Sequence, residues 1–259
     1  MKEAPKKIAI EAHNLSVTYN QRPVLWNIDF ELPAGNIIGI LGPNGSGKTT
    51  FLKATMGLVK PSSGYVKIFD QELDDVRERI SYVPQRESVD WNFPANVMDI
   101  VLMGRYRRSN LTKRLNSHDK DLAAAALEKV NMLPFSGRQI SQLSGGQQQR
   151  VFIARSLCQG ADLYIMDEPF IGVDAATEEA IMALLMEMRN EGKTVIVVHH
   201  DLQSAKVFFD WIVLLNTHLV ANGPTSEVFT EELLQQAFGG KLNALSKVGE
   251  LVRQHEFPI

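Results

Sequence analysis

Two rhythms of apolar and polar side chains run along the sequence. Residues 8–19 and 24–32 alternate and predict two strands, joined by a turn at Asn20-Gln21-Arg22-Pro23. Residues 37–41 are a short, wholly apolar run that leads into Gly42, as a buried strand would. A helix is expected over residues 48–57, ending at Gly57, and further short strands over residues 64–69 and 80–83. Beyond Gln85 the period changes. From Pro94 to about Gln159 the spacing is helical, with an alanine-rich stretch at residues 121–130. Residues 163–166 return to a buried strand, residues 175–190 read as a long amphipathic helix, and residues 194–198 as another apolar strand. Residues 211–215 and 219–221 close the core, and the chain after Gly223 is amphipathic.

Helices alternating with short apolar strands predict an α/β fold built on a parallel sheet. The N-terminal alternating strands add an antiparallel β portion. The helical stretch reads as a lobe inserted between two halves of the sheet. The expected division is one domain over residues 1–259: a core at about 8–85 and 160–223, a helical lobe at about 86–159, and a helical tail at about 224–259. No internal repeat or low-complexity segment interrupts it.

Composition narrows the function classes. The chain has 259 residues, a formal net charge of -3 and a pI of about 6.1, which argues against a sequence-independent nucleic-acid binder. Its single cysteine, Cys158, excludes an intrachain disulfide and reads as buried filler. The charged start, Met1 to Lys7, lacks the apolar core of a signal peptide. No apolar run approaches the ~20 residues that span a bilayer, so any membrane role is expected to act through a partner.

Three segments carry chemistry. Gly42-Pro43-Asn44-Gly45-Ser46-Gly47-Lys48-Thr49, followed by Thr50, matches the phosphate-binding loop, with a strand before it and a helix after it. Glycines there let backbone N–H groups wrap a β-phosphate. Lys48 would pair with the β- and γ-phosphates, and the Thr49 hydroxyl would ligate Mg²⁺. The apolar strand Leu163-Tyr164-Ile165-Met166 ends in Asp167-Glu168, whose side chains would face opposite ways if the strand continued. Asp167 suits a water-bridged Mg²⁺, and Glu168 suits a general base for an attacking water. Leu143-Ser144-Gly145-Gly146-Gln147 precedes a helix expected over residues 147–158, whose N-terminus makes a second anion site. The doublet His199-His200 follows a strand. Adjacent residues on an extended chain face apart, so it is not read as a metal pair, and His199 is expected to be structural.

A phosphate loop followed by Leu-Ser-Gly-Gly-Gln resembles the ATP-binding-cassette (ABC) ATPases, and the likeness runs from about Ile8 to about Phe238. The resemblance implies a P-loop ABC ATPase core with a helical subdomain. It implies that Gln85 contacts Mg²⁺ and the attacking water, that His200 senses the γ-phosphate, and that Tyr19 stacks on adenine. Asp174 would reach a partner subunit. Here the chain departs from the family, with Ile171-Gly172-Val173-Asp174 where many members have Ser-Ala-Leu-Asp, so a serine hydroxyl is missing. ATP and Mg²⁺ are the implied cofactors. The implied assembly is a homodimer in which Ser144, Gly145, Gly146 and Gln147 face the phosphate loop of the other copy.

The segments Glu168 to Asp174, Pro84 to Pro94 and Asp99 to Arg105 are similar to those of metal-ion importers, most of all those for manganese, with zinc and iron or iron-chelate import as alternatives. That likeness implies two integral-membrane permease subunits, an extracytoplasmic metal-binding protein, no nucleic acid, and a place on the cytoplasmic face of the cell membrane. Trp91, Phe93, Pro94 and Met98 are expected to help line a groove for a permease helix. Two rival readings are a soluble, non-transport ABC ATPase, which the single cassette and the lack of a coiled-coil insertion disfavour, and an exporter cassette, which the sequence around Trp91 to Arg105 would discriminate.

Overall fold

A computed structural model describes residues 7–106 and 115–239. In chain order the strands are β1 (Ile8–Tyr19), β2 (Arg22–Pro33), β3 (Ile37–Leu41), β4 (Ser63–Ile68), β5 (Ile80–Val83), β6 (Leu163–Asp167), β7 (Thr194–Val198), β8 (Trp211–Asn216) and β9 (His218–Pro224). The helices are α1 (Lys48–Thr55), α2 (Leu73–Val76), α3 (Val97–Leu102), α4 (Ser117–Lys129), α5 (Gly145–Gln159), α6 (Ala175–Asn190), α7 (Leu202–Phe208), α8 (Thr225–Val228) and α9 (Glu231–Phe238). The expected C-terminal tail is described as far as Gly239; its residues 240–259, the N-terminal residues 1–6 and residues 107–114 of the helical stretch lie outside the described residues. The described residues fall into two compact units, 7–76 with 196–239, and 77–106 with 115–195.

In the first unit, β1 pairs antiparallel with β2 on one side and β4 on the other. The turn between β1 and β2 is tighter than the sequence predicts. Tyr19 already pairs with Arg22, which leaves Asn20 and Gln21 alone at the tip, with φ of 47° and 64°. Two left-handed residues match the right-handed twist of the strands they join. The alternation in β1 is also interrupted, most clearly where Ala12 and Leu15 are both buried, because the register shifts around Asn14, which takes φ 47° and donates its N–H to Asp29. The other sheet segment of this unit pairs β3 parallel to β8, and β8 antiparallel to β9. Every residue of β3 is buried, as its unbroken apolar run requires.

In the second unit, β5 and β6 pair in parallel, from Ile80 opposite Leu163 to Val83 opposite Met166. Among the described residues the helical stretch holds three capped helices and short 3-10 turns. Asn96, Asn116 and Ser144 each close a reciprocal capping box, with Asp99, Asp119 and Gln147, at α3, α4 and α5. Strand β7 starts in this unit and ends in the first. The α/β class, the antiparallel portion and the helical subdomain all stand as the sequence predicts.

Candidate functional site

In the first unit, β3 delivers the chain to Gly42, and the loop to α1 is drawn tight. A Cβ on Gly42 would strike the Leu215 carbonyl and lie 2.7 Å from Ser46 Oγ. Gly47 caps α1 with φ 100°, and a Cβ there would lie 2.8 Å from the Val24 carbonyl. Only glycine fits either place. Ser46 N–H donates to the Pro43 carbonyl (3.1 Å), and Thr217 N–H to the Ser46 carbonyl (2.9 Å), so the loop is held by its own turn and by the β8–β9 corner. Lys48 is 6% exposed, and its Nζ donates to the carbonyls of Gly42 and Pro43, 2.9 Å each. Ser46 Oγ is buried with no hydrogen-bond partner. A buried lysine and an orphaned hydroxyl inside a glycine-bounded loop are the chemistry of a phosphate cradle. Asn44 and Gly45 are exposed, and Thr49 and Thr50 sit half-buried in the first turn of α1.

Two further expected residues belong to this unit. Tyr19 ends β1 and is 43% exposed, so its ring is open for stacking. His200 is exposed just past β7, while His199 is 2% exposed. The difference has a network behind it. Asp201 caps α7, and Ser204 Oγ donates to Asp201 Oδ2 (2.8 Å), so the Ser204 oxygen accepts from His199 Nε2–H (2.7 Å). Burial, with the neighbouring His200 second, pushes the His199 pKa down to about 4. His199 is a neutral structural residue, as expected, and among the described residues no group of three His, Cys, Asp or Glu could hold a metal.

In the second unit, β6 ends at Asp167, which is fully buried. The Tyr82 hydroxyl is pushed up to about 12, by burial and then by the Asp167 charge. The strand stops at Asp167 and does not continue through Glu168, so the condition for the two side chains to face opposite ways is not met. Glu168 takes φ 52°, a left-handed conformation costing a non-glycine residue about 1–2 kcal/mol. The turn brings Glu168 Oε2 within 2.8 Å of Gln85 Nε2, so these two residues, far apart in sequence, meet. With its amide nitrogen on Glu168, Gln85 keeps Oε1 as an acceptor, and oxygen donors of the Gln85 and Asp167 kind are those a hard ion such as Mg²⁺ takes.

The Ser144–Gln147 turn also differs from expectation. The helix was expected from Gln147, yet α5 begins at Gly145. Ser144 N–H donates to Gln147 Oε1 (2.9 Å) and Ser144 Oγ accepts from Gln147 N–H (3.4 Å), so the serine and glutamine close the helix end. Gly145 and Gly146 lie in its first turn, where backbone N–H groups have no intrahelical acceptor. Asp174 caps α6, accepting from Thr177 N–H (2.8 Å) and Thr177 Oγ1 (3.1 Å), and these bonds hold its carboxyl below the usual range. Val173 flanks Gly146.

Sequence reasoning passed over Arg86, whose guanidinium reaches Gln148 at the start of α5. No motif marks it; its place next to Gln85 was the only signal.

Beside α5 lies an apolar groove of about 250 Å³, walled by Trp91, Phe93, Ile100, Met103, Ile140 and Phe152, with Val89 and Asp90 at its edge. Met98 and Pro94, expected there, are not among its walls. Cys158 is buried, and burial pushes its thiol up to about 11, as suits filler. Among the described residues no helix is long and apolar enough to cross a membrane.

A family model described as ABC transporter matches residues 25–171. The manganese transport system ATP-binding protein MntB of Bacillus subtilis (strain 168) is 57% identical over 91% of this chain and 94% of its own. The zinc transport system ATP-binding protein TroB of Treponema pallidum (strain Nichols) is 51% identical over 91% of this chain and 89% of its own. Among solved structures, cbiO1 from Clostridium perfringens, part of the ABC transporter complex cbiONQ, has a TM-score of 0.76 at 26% identity, covering 96% of this chain and 100% of that one. The matched segment holds the phosphate loop, the Ser144-capped glycine turn and the Asp167–Glu168 strand end. The chain therefore belongs to the ABC transporter family and is one of its ATPases.

Proposed function

We propose that this chain powers a metal-ion importer, manganese being its cargo. It binds ATP on residues 42–49, with Tyr19 stacked on the adenine and Thr50 in the same helix turn. Thr49, Gln85 and water on Asp167 hold Mg²⁺, which neutralises charge on the phosphates. Glu168 accepts a proton from the attacking water, Gln85 orients that water, and His200 donates to the γ-phosphate. Two copies form a homodimer in which Ser144, Gly145, Gly146, Gln147 and Asp174 of one copy complete the ATP site of the other. The helical lobe over residues 86–159 and the core together make one domain with a tail. Two permease subunits hold the dimer at the cytoplasmic face of the membrane, and an extracytoplasmic protein delivers the metal.

The observation that carries this reading is the Gln85–Glu168 hydrogen bond. It sets a carboxylate at the end of a buried strand beside an amide whose free oxygen suits a cation. Manganese rests on the manganese-transport relative and on the segments around Trp91 and Phe170; the zinc-transport relative keeps zinc as the second reading. Glu168→Gln keeps the shape and removes the base. It should bind ATP normally, cut hydrolysis by ~10²–10⁴, and hold an ATP-dependent dimer seen by gel filtration. Hydrolysis at the wild-type rate would remove Glu168 from this role.

A further inference from the structure

Gln85 and Arg86 are neighbours that reach in different directions. Gln85 Nε2 donates to Glu168 Oε2 at 2.8 Å, and Arg86 Nη2 donates to Gln148 Oε1 at 3.1 Å. Gln148 lies in the first turn of α5 and is 4% exposed. Its own amide nitrogen donates to the Ile140 carbonyl at 3.1 Å, so its acceptor oxygen is fixed in place for the arginine.

Arg86 is gripped from other sides as well. Its backbone carbonyl accepts from Trp91 Nε1–H at 2.8 Å, and its guanidinium carbon lies 5.8 Å from the centre of the Trp91 ring. A Cβ at Gly145 would lie 3.2 Å from Arg86 Cζ and Nε, so the guanidinium packs closely over this glycine. Electrostatics oppose the placement, because the N-terminal end of a helix carries a partial positive charge. Arg86 Nε is buried with no hydrogen-bond partner. The position is therefore set by the single hydrogen bond to Gln148 and the Trp91 contacts, not by a favourable field.

We propose that Arg86 is a positioning residue that ties the loop carrying Gln85 to the first turn of α5, and so couples the two ATP sites of the dimer. The proposal rests on the dimeric reading given above. In that dimer the turn at Ser144–Gln147 serves the nucleotide of the partner, whereas Gln85 and Glu168 serve the chain's own. Consecutive Cα atoms are ~3.8 Å apart across a rigid peptide. A shift of the α5 turn as it meets the partner's nucleotide is therefore passed through Arg86 to Gln85 and its bond to Glu168. Arg86 touches neither nucleotide in this scheme.

The test is the shape of the ATP dependence of hydrolysis, measured on the full-length chain assembled with its permease. Wild type should respond sigmoidally. Arg86→Ala should bind nucleotide with unchanged affinity at the phosphate loop and lose the sigmoidal response, which becomes hyperbolic. Arg86→Lys retains one donor for Gln148 and should keep a sigmoidal curve. Gln148→Leu cuts the same bond from the other end and should give the Arg86→Ala curve; it carries the test if Arg86→Ala does not fold. A merely structural arginine would lower the rate and leave the curve shape alone, so a sigmoidal Arg86→Ala, or a hyperbolic wild type, overturns the proposal. If Glu168→Gln forms no ATP-dependent dimer, the dimeric reading falls and takes the proposal with it. A normal dimer with an unaltered curve in Arg86→Ala removes the proposal alone.

Discussion

His199 and His200 are adjacent in sequence and opposite in environment. One is buried between Ser204 and Phe209, and the other is exposed. The buried ring is held neutral, with its pKa pushed down to about 4 by burial, against ~6.5 in an unfolded chain. Below about pH 6.5 the unfolded chain takes up a proton that the folded one refuses. The contribution of His199 to stability is thus complete above that pH and is lost as pH falls toward 4, by up to ~1.4 kcal/mol per pH unit. His199→Gln can still donate to Ser204 but has no proton to gain. Urea unfolding at pH 7 and pH 5 should show wild type losing about 1–2 kcal/mol more than the variant over that interval. Equal losses would mean that the ring charges in place. The doublet also shows what the sequence withholds at this scale. The opposite facing of its two members follows from an extended chain, but the Ser204–Asp201 network that fixes the tautomer depends on the first turn of α7. The left-handed turn at Glu168 is similarly invisible in an apolar run that ends in two acids.

At the scale of elements, the sequence is most legible where burial is uniform. The runs that became β3, β6 and β7 are wholly buried and apolar except for Asp167 at the end of β6 and Thr194 at the start of β7. It is least legible where a local bond overrides a pattern. Two glycines lower helix propensity, so the expected start of α5 fell at Gln147, yet the Ser-x-x-Gln capping box starts the helix at Gly145. That signature was present in the sequence and outweighs the propensity. Likewise the bulge at Asn14 breaks an alternation that reads as one continuous strand. The apolar groove beside α5 is a similar case. Trp91 was expected as a docking residue, but its ring packs edge-on against Phe152 at 4.9 Å, so it is half core. Phe93 is 50% exposed and is the cleaner probe of docking. Phe93→Ala should lower metal uptake by the assembled transporter at least several-fold while the basal ATPase of the chain persists. Trp91→Ala should show the same uncoupling together with a stability loss of about 1–3 kcal/mol. Normal uptake by a folded Phe93→Ala protein would take this groove out of the docking assignment.

For the molecule as a whole, the division of labour decides where selectivity can reside. Among the described residues no cluster of three His, Cys, Asp or Glu could bind a transition metal. Asp90, which lines the groove, accepts from Asn92 N–H, and Asp174 is engaged by Thr177. At the end of β6 the Gln85 amide nitrogen meets Glu168 Oε2, and under the proposed function the free amide oxygen would serve the hard cation that accompanies ATP. Discrimination between manganese and zinc would then be made by the delivery protein and the permease, through ligand type and geometry rather than raw affinity. Under the proposed function this chain would supply the same phosphate chemistry to either cargo; its relatives named for manganese and for zinc transport stand at 57% and 51% identity to it. Its cargo is legible only through segments that track the partners, so the test belongs to the cell. A strain lacking the chain should stop growing when manganese is scarce, recover with added manganese, and fail to recover with zinc or iron. Recovery with zinc alone would transfer the cargo to zinc and leave the ATPase chemistry of the chain as it stands, because no residue in that chemistry distinguishes the two.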